Sequence, residues 1–389
     1  MKDGGAINYF QGKADLSQNL FYHNTAGFNA GAIYSSAPLY LHRDTLTMNQ
    51  GLDFDFVRGG GAIFSDSFLY MDSCLIAQNS SVGRGGGVNN FNGRAIMKNT
   101  AILQNSAESI GGGIFNDHSM ELTNCQIGGN ESFTGGGISN HDSITLRNSI
   151  IHGNFVNASV GGGLDNVHYA ELINTTITGN KAGDGGGFYQ SGLDKTLVMI
   201  NSLIAKNTAN GSALDIRLAN TQVIDQGNNF IGDTTGASNF FPNSILKGST
   251  ANPVNPEFVS DPSLLGLPNL SGNLRLKSIS PAINAGNADT TGLQLPQVDL
   301  GGDPRLNGSI DIGAYENPFA GCPEQIILNN NLYGPVNGTY SAQQLIKLGD
   351  GIEISNMAQV TLNAPEVHMD ESSTLVGAQL SILQNGCLE

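Results

Sequence analysis

The stretch "SIGGGIFNDHSMELTNCQIGGN", residues 109–130, contains three glycines, an Asp-His pair and a closing asparagine. The stretch "FTGGGISNHDSITLRNSIIHGN", residues 133–154, repeats this order 24 positions later. Self-similarity at a fixed period is typical of solenoid proteins, in which each unit stacks on the next. The Asp-His pair is therefore either a functional site or the outer bend of a structural repeat.

The closing asparagine recurs eight times, at intervals of 24 to 30 residues: Asn24, Asn49, Asn79, Asn105, Asn130, Asn154, Asn180 and Asn207. Three positions before it, every unit carries a large apolar residue: Phe21, Leu46, Ile76, Ile102, Ile127, Ile151, Ile177 and Ile204. Eight positions before it, every unit carries leucine or methionine. Alternation over so few residues predicts short strands rather than helices.

The glycine segment supplies a third apolar column: Ile7, Ile33, Ile63, Val88, Ile114, Ile138, Leu164 and Phe188. Three short strands in about 25 residues predict one coil of a parallel β-helix, with successive coils about 4.8 Å apart. The fold class is thus all-β, with about eight coils. Amides would stack on amides and form hydrogen-bonded ladders through Asn90, Asn116, Asn140, Asn166, Asn105, Asn130, Asn154 and Asn180.

The segments "GGAI" (4–7) and "GGGAIF" (59–64), each followed by a downstream asparagine, resemble the repeats of right-handed parallel β-helix surface proteins. Chlamydial-type polymorphic outer-membrane proteins carry related repeats. The right-handed winding is implied by this resemblance alone. The resemblance also implies a secreted or surface-attached protein.

Proline marks the predicted end of the regular coils. Only Pro38 occurs before residue 242, and proline removes a donor from stacked strands. We therefore predict a β-helix over residues 1–245. Residues 246–318 include "SPAINAG" and "DIGAYE" and resemble a choice-of-anchor Q segment. Such a segment is expected to cover the open apolar end of the last coil.

Residues 319–389 form a predicted small β module with Gly-bounded strand patterns. It resembles the 3-coathanger-stack module of secreted Bacteroidota proteins, which implies export by the type IX route. Cys322 and Cys387 bracket this module and are a candidate disulfide in an oxidising compartment. Cys74 and Cys125 share an inward column two coils apart, about 10 Å, too far for a disulfide.

Charge and hydropathy restrict the partners. The net charge is −16 and only 13% of residues are charged, so no basic stripe exists for nucleic acid. No apolar run approaches the length of a membrane helix. The first residues lack a hydrophobic signal core, so we expect a fragment or mature region of an extracellular or outer-surface protein.

Three consecutive coils carry the predicted polar patch at equivalent positions: Asp117, His118, His141, Asp142 and His168. These side chains would occupy an exterior area about 10 Å tall. Imidazole and carboxylate groups could hold a metal or serve as acid and base on a glycan. The alternative is a set of solvent-facing bend residues. No cofactor is required, and calcium, suggested by the acidity, has no assigned ligands.

Enzymes of this fold need more than the sequence offers. A polysaccharide lyase would combine calcium-binding carboxylates with an Arg or Lys base. Lys98 and Arg147 share a column two coils apart, with Thr123 between them and no Asp cluster beside them. A glycoside hydrolase would need an Asp pair on adjacent strands, and no "DD" occurs.

The sequence therefore favours a non-enzymatic extracellular role as a structural or adhesive element: a stalk, adhesin or matrix component. One alternative is a carbohydrate-active enzyme or glycan-binding module on a β-helix face. Another is a filament subunit that associates end to end. An adhesin would bind a surface or glycan through an outward column that contains Tyr34, Phe64, Phe115 and Tyr189, with Asn8, Asn89, Ser139 and Asp165 at the same position. The simpler interpretation is that these are surface-strand residues.

Overall fold

The computed structural model describes residues 4–52, 58–211, 214–237, 239–244, 246–305 and 309–317. Of residues 318–389 it describes eight strands and His368, and the side chains of residues 191–193 are not described. The described chain is all-β and forms a right-handed parallel solenoid of about eight coils. The predicted fold class is thereby confirmed.

Each coil begins with a three-residue strand directly after the glycine run. These first strands are Ile7–Tyr9, Ile33–Ser35, Ile63–Ser65, Val88–Asn90, Ile114–Asn116, Ile138–Asn140 and Leu164–Asn166. The second strands are Ala14–Ser17, Leu39–His42, Leu69–Asp72, Ala95–Lys98, Ser119–Thr123, Ser143–Arg147 and Tyr169–Ile173. In the eighth coil, the single long strand Phe188–Ile200 occupies both the first-strand and the second-strand position. It therefore joins the first strands and the second strands into one 16-stranded sheet. The strand Ile216–Asp225 pairs with Phe188–Ile200 in the same sheet.

A ten-stranded sheet contains the third strands, and the first eight of them carry the apolar residue three positions before the closing asparagine. They are Leu20–Tyr22, Thr45–Thr47, Leu75–Ala77, Ala101–Leu103, Gln126–Gly128, Ile150–His152, Thr176–Thr178, Leu203–Ala205, Phe230–Ile231 and Leu246–Lys247. The structure adds a fourth strand position, two residues long, after the asparagine: Thr25–Ala26, Gln50–Gly51, Ser80–Ser81, Ser106–Ala107, Glu131–Ser132, Phe155–Val156, Lys181–Ala182 and Thr208–Ala209. Two residues are too short to show alternation, so this strand could not be predicted from the pattern.

The interior is one continuous column of apolar side chains. Ile102, Ile127, Ile151 and Ile177 are register partners on successive coils, and each is fully buried. Leucine, methionine and isoleucine from the other strand positions complete the same core. Because apolar burial contributes roughly 25 cal/mol per Å², this column is the main source of stability.

The closing asparagines form the predicted ladder. The backbone N–H of Asn105 donates to Asn130 Oδ1 (2.9 Å), and its Nδ2 donates to the same oxygen (3.1 Å) and to Ile76 O (3.0 Å). The pattern repeats on each coil and ends on Asp215, whose Oδ1 accepts two bonds from Asn207. A second ladder joins Asn90, Asn116, Asn140 and Asn166 through side-chain amides. Both predicted ladders are confirmed.

Residues within the predicted β-helix range, 1–245, close the end of the last coil. Ala237 and Phe241 are buried in the main core there. Residues 258–317 instead pack against the side of the solenoid, where Phe258, Leu276 and Ile312 form a second core with Ile150 and Leu203 of the third strands. The structure thus differs from the expectation that this segment covers the coil end, because the outward face of these third strands is itself apolar.

The side-packed part contains an antiparallel pair, Phe258–Ser260 with Asn273–Leu276. The motifs "SPAINAG" and "DIGAYE" lie in this part and contribute buried polar contacts. Asp311 accepts hydrogen bonds from the backbone N–H groups of Asn284 and Asn317. The buried Glu316 carboxylate pairs with Arg305 at 2.5 Å. We call residues 258–317 the lateral segment.

Within residues 318–389, the described part of the chain contains eight short strands that pair in parallel in three small sheets. The strands are Gln325–Leu328, Gly338–Ser341, Leu345–Leu348, Glu353–Ser355, Gln359–Asn363, Glu366–Met369, Thr374–Val376 and Gln379–Leu383. Register partners such as Leu345 and Glu366 lie 21 residues apart. The described strands therefore pair in parallel at intervals of about 21 residues, and the module over 319–389 stays a prediction.

Candidate functional site

The predicted Asp-His patch consists of two pairs that cross between adjacent coils. His141 Nδ1 lies 3.7 Å from Asp117 Oδ1, and His118 Nδ1 lies 3.6 Å from Asp142 Oδ2. The residues follow first strands whose backbones are in register, which fixes this arrangement. The predicted alternation of carboxylate and imidazole is therefore present.

The two pairs differ in exposure. The side chains of His118 and Asp142 are half exposed, whereas the His141 ring stands edge-on to Phe115 at 4.9 Å. Burial lowers the pKa of His141, an effect that the Asp117 carboxylate opposes. His168 lies exposed on the following coil. Because exposed pairs of this kind contribute little, the patch does not hold the fold together.

The described residues contain no group of three or more His, Cys, Asp and Glu side chains placed to hold a metal ion. Metal binding at the patch and a calcium site elsewhere therefore stay predictions. The catalytic alternative likewise stays a prediction.

The outward column that contains Tyr34, Phe64, Phe115 and Tyr189 is largely shielded from solvent by neighbouring side chains. Phe64 is 2% exposed and Phe115 is fully buried. The Phe64 ring stacks between Tyr34 and Phe91, and the Arg84 guanidinium lies 4.7 Å from the centre of the Phe115 ring. The prediction that Phe64 and Phe115 are accessible surface residues is wrong, because side chains from the bends fold over this column.

A buried carboxyl lies in the same column. Asp165 is 8% exposed and is the register partner of Ser139, whose hydroxyl has no hydrogen-bond partner among the described residues. Burial raises the pKa of Asp165 to about 7, against the attraction of the nearby Lys195 ammonium. Sequence alternation placed Asp165 on the outer side but could not show that bend residues cover it.

The structure reveals a second candidate, a groove at the bend between the second and third strands of the coils. It consists of two adjoining cavities of about 430 Å³ each, lined by Lys98, Asn99, Asn124 and Arg147 on the solenoid. Residues 294–302 of the lateral segment form the opposite wall. We call this feature the lateral groove. The repeat columns single out Lys98 and Arg147, but they could not bring the lateral segment beside them.

One of the two cysteine predictions is confirmed, and the other concerns residues that the structure does not describe. Cys74 and Cys125 are buried free thiols, as predicted, and burial raises the pKa of Cys125 to about 12. The candidate disulfide between Cys322 and Cys387 lies outside the described residues.

Comparison with known proteins adds no relative: no family model, no curated protein and no solved structure matches the chain. The resemblances drawn from the repeats and from "DIGAYE" thus stay predictions beyond the β-solenoid class itself. In the part of the chain that the structure describes, no helix is long and apolar enough to cross a membrane.

Proposed function

We propose that this protein is a non-enzymatic extracellular β-solenoid that acts as a structural or adhesive rod. The observation that carries the proposal is the unbroken asparagine ladder, which runs from Asn24 to Asp215 through eight coils. Each ladder amide from Asn49 to Asn207 is bonded to both neighbouring coils, which resists sliding of one coil over the next. A stiff shaft of this kind suits a protein that spans or spaces surfaces.

Composition supports the location. An acidic chain with a net charge of −16 suits a crowded extracellular setting. The side-packed lateral segment adds a second surface on which the rod can contact a partner.

The test has two parts. Immunogold labelling of intact cells of the producing organism is expected to place the protein outside the cell envelope, and deletion of its gene is expected to weaken attachment to a surface. A purely intracellular label would contradict the proposal. So would the release of new sugar ends when the purified protein is incubated with polysaccharides, because that would make it an enzyme.

A further inference from the structure

Five asparagines occupy the bend between the second and third strands on successive coils: Asn99, Asn124, Asn148, Asn174 and Asn201. All five have a left-handed backbone, with φ between 44° and 55°, a conformation that asparagine adopts more readily than most residues. The repeated conformation gives the five side chains equivalent positions on successive coils. We call these five residues the bend ladder.

Side-chain amides connect the first three members of the bend ladder. Asn124 Nδ2 donates to Asn99 Oδ1 at 3.2 Å, and Asn148 Nδ2 donates to Asn124 Oδ1. Asn99 Nδ2 in turn donates to Asp72 Oδ1 at 2.9 Å. Because an amide nitrogen carries two N–H groups, each of these three asparagines has one N–H left for a second acceptor.

On the later coils, the lateral segment supplies backbone carbonyl groups as acceptors for the bend ladder. The hydrogen bonds run from Asn148 Nδ2 to Val298 O (3.2 Å), from Asn174 Nδ2 to Asp311 O (3.1 Å) and from Asn201 Nδ2 to Asn287 O (3.4 Å). These three asparagines are fully buried. The bend ladder therefore already binds a polypeptide backbone through its side-chain N–H groups.

The first two members of the bend ladder differ from the others. The second N–H of Asn99 and that of Asn124 reach no acceptor among the described residues. Asn99 is exposed and Asn124 is half-buried, and both line each of the two cavities of the lateral groove. The bend ladder thus continues for two coils beyond its contacts with the lateral segment, and these two coils lie in the groove.

The apolar part of the lining suits a polypeptide. Val298, Leu300 and Pro296 of the lateral segment line one wall, and Ala101 lies on the solenoid side. The residues that line the two cavities include no aromatic ring on which a sugar could stack. Extended peptides commonly bind through main-chain hydrogen bonds combined with pockets for their side chains. The lining therefore favours an extended peptide over a glycan.

The charged groups of the groove balance one another. Two cations and two carboxylates line the cavities: Lys98, Arg147, Glu121 and Asp299. Arg147 also lies 3.7 Å from the carboxylate of Glu171. Because the lining has no excess of either sign, hydrogen bonds and apolar contacts rather than net charge would hold a ligand there.

We propose that Asn99 and Asn124 bind an extended segment of a partner protein by its backbone, in the way that the later asparagines bind the lateral segment. Two carbonyl groups of the partner would accept the second N–H groups of Asn99 and Asn124. Its apolar side chains would enter the cavities beside Val298 and Leu300. The inference adds a peptide site to the proposed structural role and does not depend on an extracellular location.

The test selects binders of the full chain from a phage-displayed library of random heptapeptides and measures their affinities by fluorescence anisotropy. We expect peptides whose affinity for the wild type is nearly the same at low and high salt. Asn99→Gly and Asn124→Gly remove the amide while glycine tolerates the left-handed backbone. Each should weaken binding about fivefold, because one hydrogen bond is lost.

Ser73→Gly is the matched control, because Ser73 holds the same bend position one coil earlier, with φ 58°, and lines neither cavity of the groove. It should bind the peptides like the wild type. Val298→Asp is a second variant that leaves the bend ladder intact. Val298 is 41% exposed, and a carboxylate there should also weaken binding. Circular dichroism and thermal unfolding show whether each variant is folded like the wild type.

The proposal is overturned if the library yields no peptide that binds the wild type. It is also overturned if the selected peptides bind Asn124→Gly and Val298→Asp as tightly as Ser73→Gly. A third contrary result is binding of cellohexaose that Asn124→Gly weakens and that competes with the peptides, because the groove would then be a glycan site. These outcomes are separate from cell-surface labelling, so the structural role and the peptide site can fail independently.

Discussion

At the scale of single residues, the stacked asparagines do most to specify the coil. Asn130 is fully buried; its Oδ1 accepts two bonds from Asn105, and its Nδ2 donates to Ile102 O and Asn154 Oδ1. A buried polar group without a partner is costly, so one missing amide affects the coils on both sides. This explains why the asparagine column is so regular in the sequence.

Replacing Asn130 with alanine should therefore lower the free energy of unfolding by about 3 kcal/mol, because it leaves buried partners on two coils unsatisfied. Urea unfolding followed by circular dichroism measures the change. Glu131→Ala, at an exposed neighbouring position, is the control and should change stability by less than about 0.5 kcal/mol. A loss for Asn130→Ala no larger than that of the control would contradict the role of the ladder.

The buried carboxyl of Asp165 predicts a pH dependence. Its pKa is raised to about 7 by burial, so the folded state binds the proton more tightly than the unfolded chain does. Its contribution to stability is therefore present below its unfolded pKa and is lost as pH rises toward 7. Asp165→Asn should remove this loss and be more stable than the wild type at pH 8 by roughly 2–4 kcal/mol. Equal melting temperatures of the wild type and Asp165→Asn at pH 8 would contradict the burial of the Asp165 carboxyl.

At the scale of elements, the lateral segment requires glycine where it crosses the third strands. Gly153 has φ +62°, and a Cβ built on it would lie 1.8 Å from Asn269 O. In coils where the lateral segment is absent, the same position holds longer side chains, such as His23, Met48 and Gln78. The glycine at this position of the repeat thus indicated a close contact, but the sequence did not show which segment makes it.

Gly153→Ala should destabilise the protein by about 2–3 kcal/mol through backbone strain and the clash with Asn269. Hydrogen exchange should rise selectively in the lateral segment, whereas the core strands stay protected. Gly27→Ala is a suitable control because nothing lies within 4 Å of a Cβ built on Gly27. Uniform exchange across the whole solenoid would show that the lateral segment is not a separate docking unit.

His152 lies where the lateral segment covers the third strands, since a Cβ built on Gly128 would lie 2.7 Å from both His152 Nε2 and Leu270 Cδ2. The ring is buried, its Nε2 lies 2.8 Å from Gln126 Nε2, and burial lowers its pKa to about 4. Because the folded pKa lies below the unfolded value of 6.5, stability is lost as pH falls from about 6.5 toward 4. We expect faster exchange in the lateral segment at pH 5 than at pH 7, after correction for intrinsic rates. His152→Gln should abolish this difference, and its persistence in that variant would refute the assignment to His152.

At the scale of the whole molecule, the sequence predicted the features that recur on every coil, but it did not predict the contacts of the lateral segment, which do not recur. The columns of Ile102 and Asn105 recur on every coil, so their interior position follows from spacing alone. The contact of Asn148 Nδ2 with Val298 O joins residues 150 positions apart and has no period to reveal it. The lateral groove depends on that contact and was therefore invisible. The burial of Phe115 was missed because strand alternation separates two faces but does not show what covers the outer one.

The central claim is that the chain advances one strand spacing per coil along the solenoid, from the first strand Ile7–Tyr9 to the strand Leu246–Lys247. Spin labels can be placed at Gln50 and, in turn, at Glu131, Lys181 or Thr208, which follow one another through the fourth-strand sheet. With Cys322 and Cys387 replaced by serine, pulsed electron spin resonance measures the three distances. A parallel solenoid predicts values that grow by about 4.8 Å per coil, so that Lys181 lies about 24 Å from Gln50. Distances that fail to increase in this linear order would contradict the parallel β-solenoid and the rod derived from it.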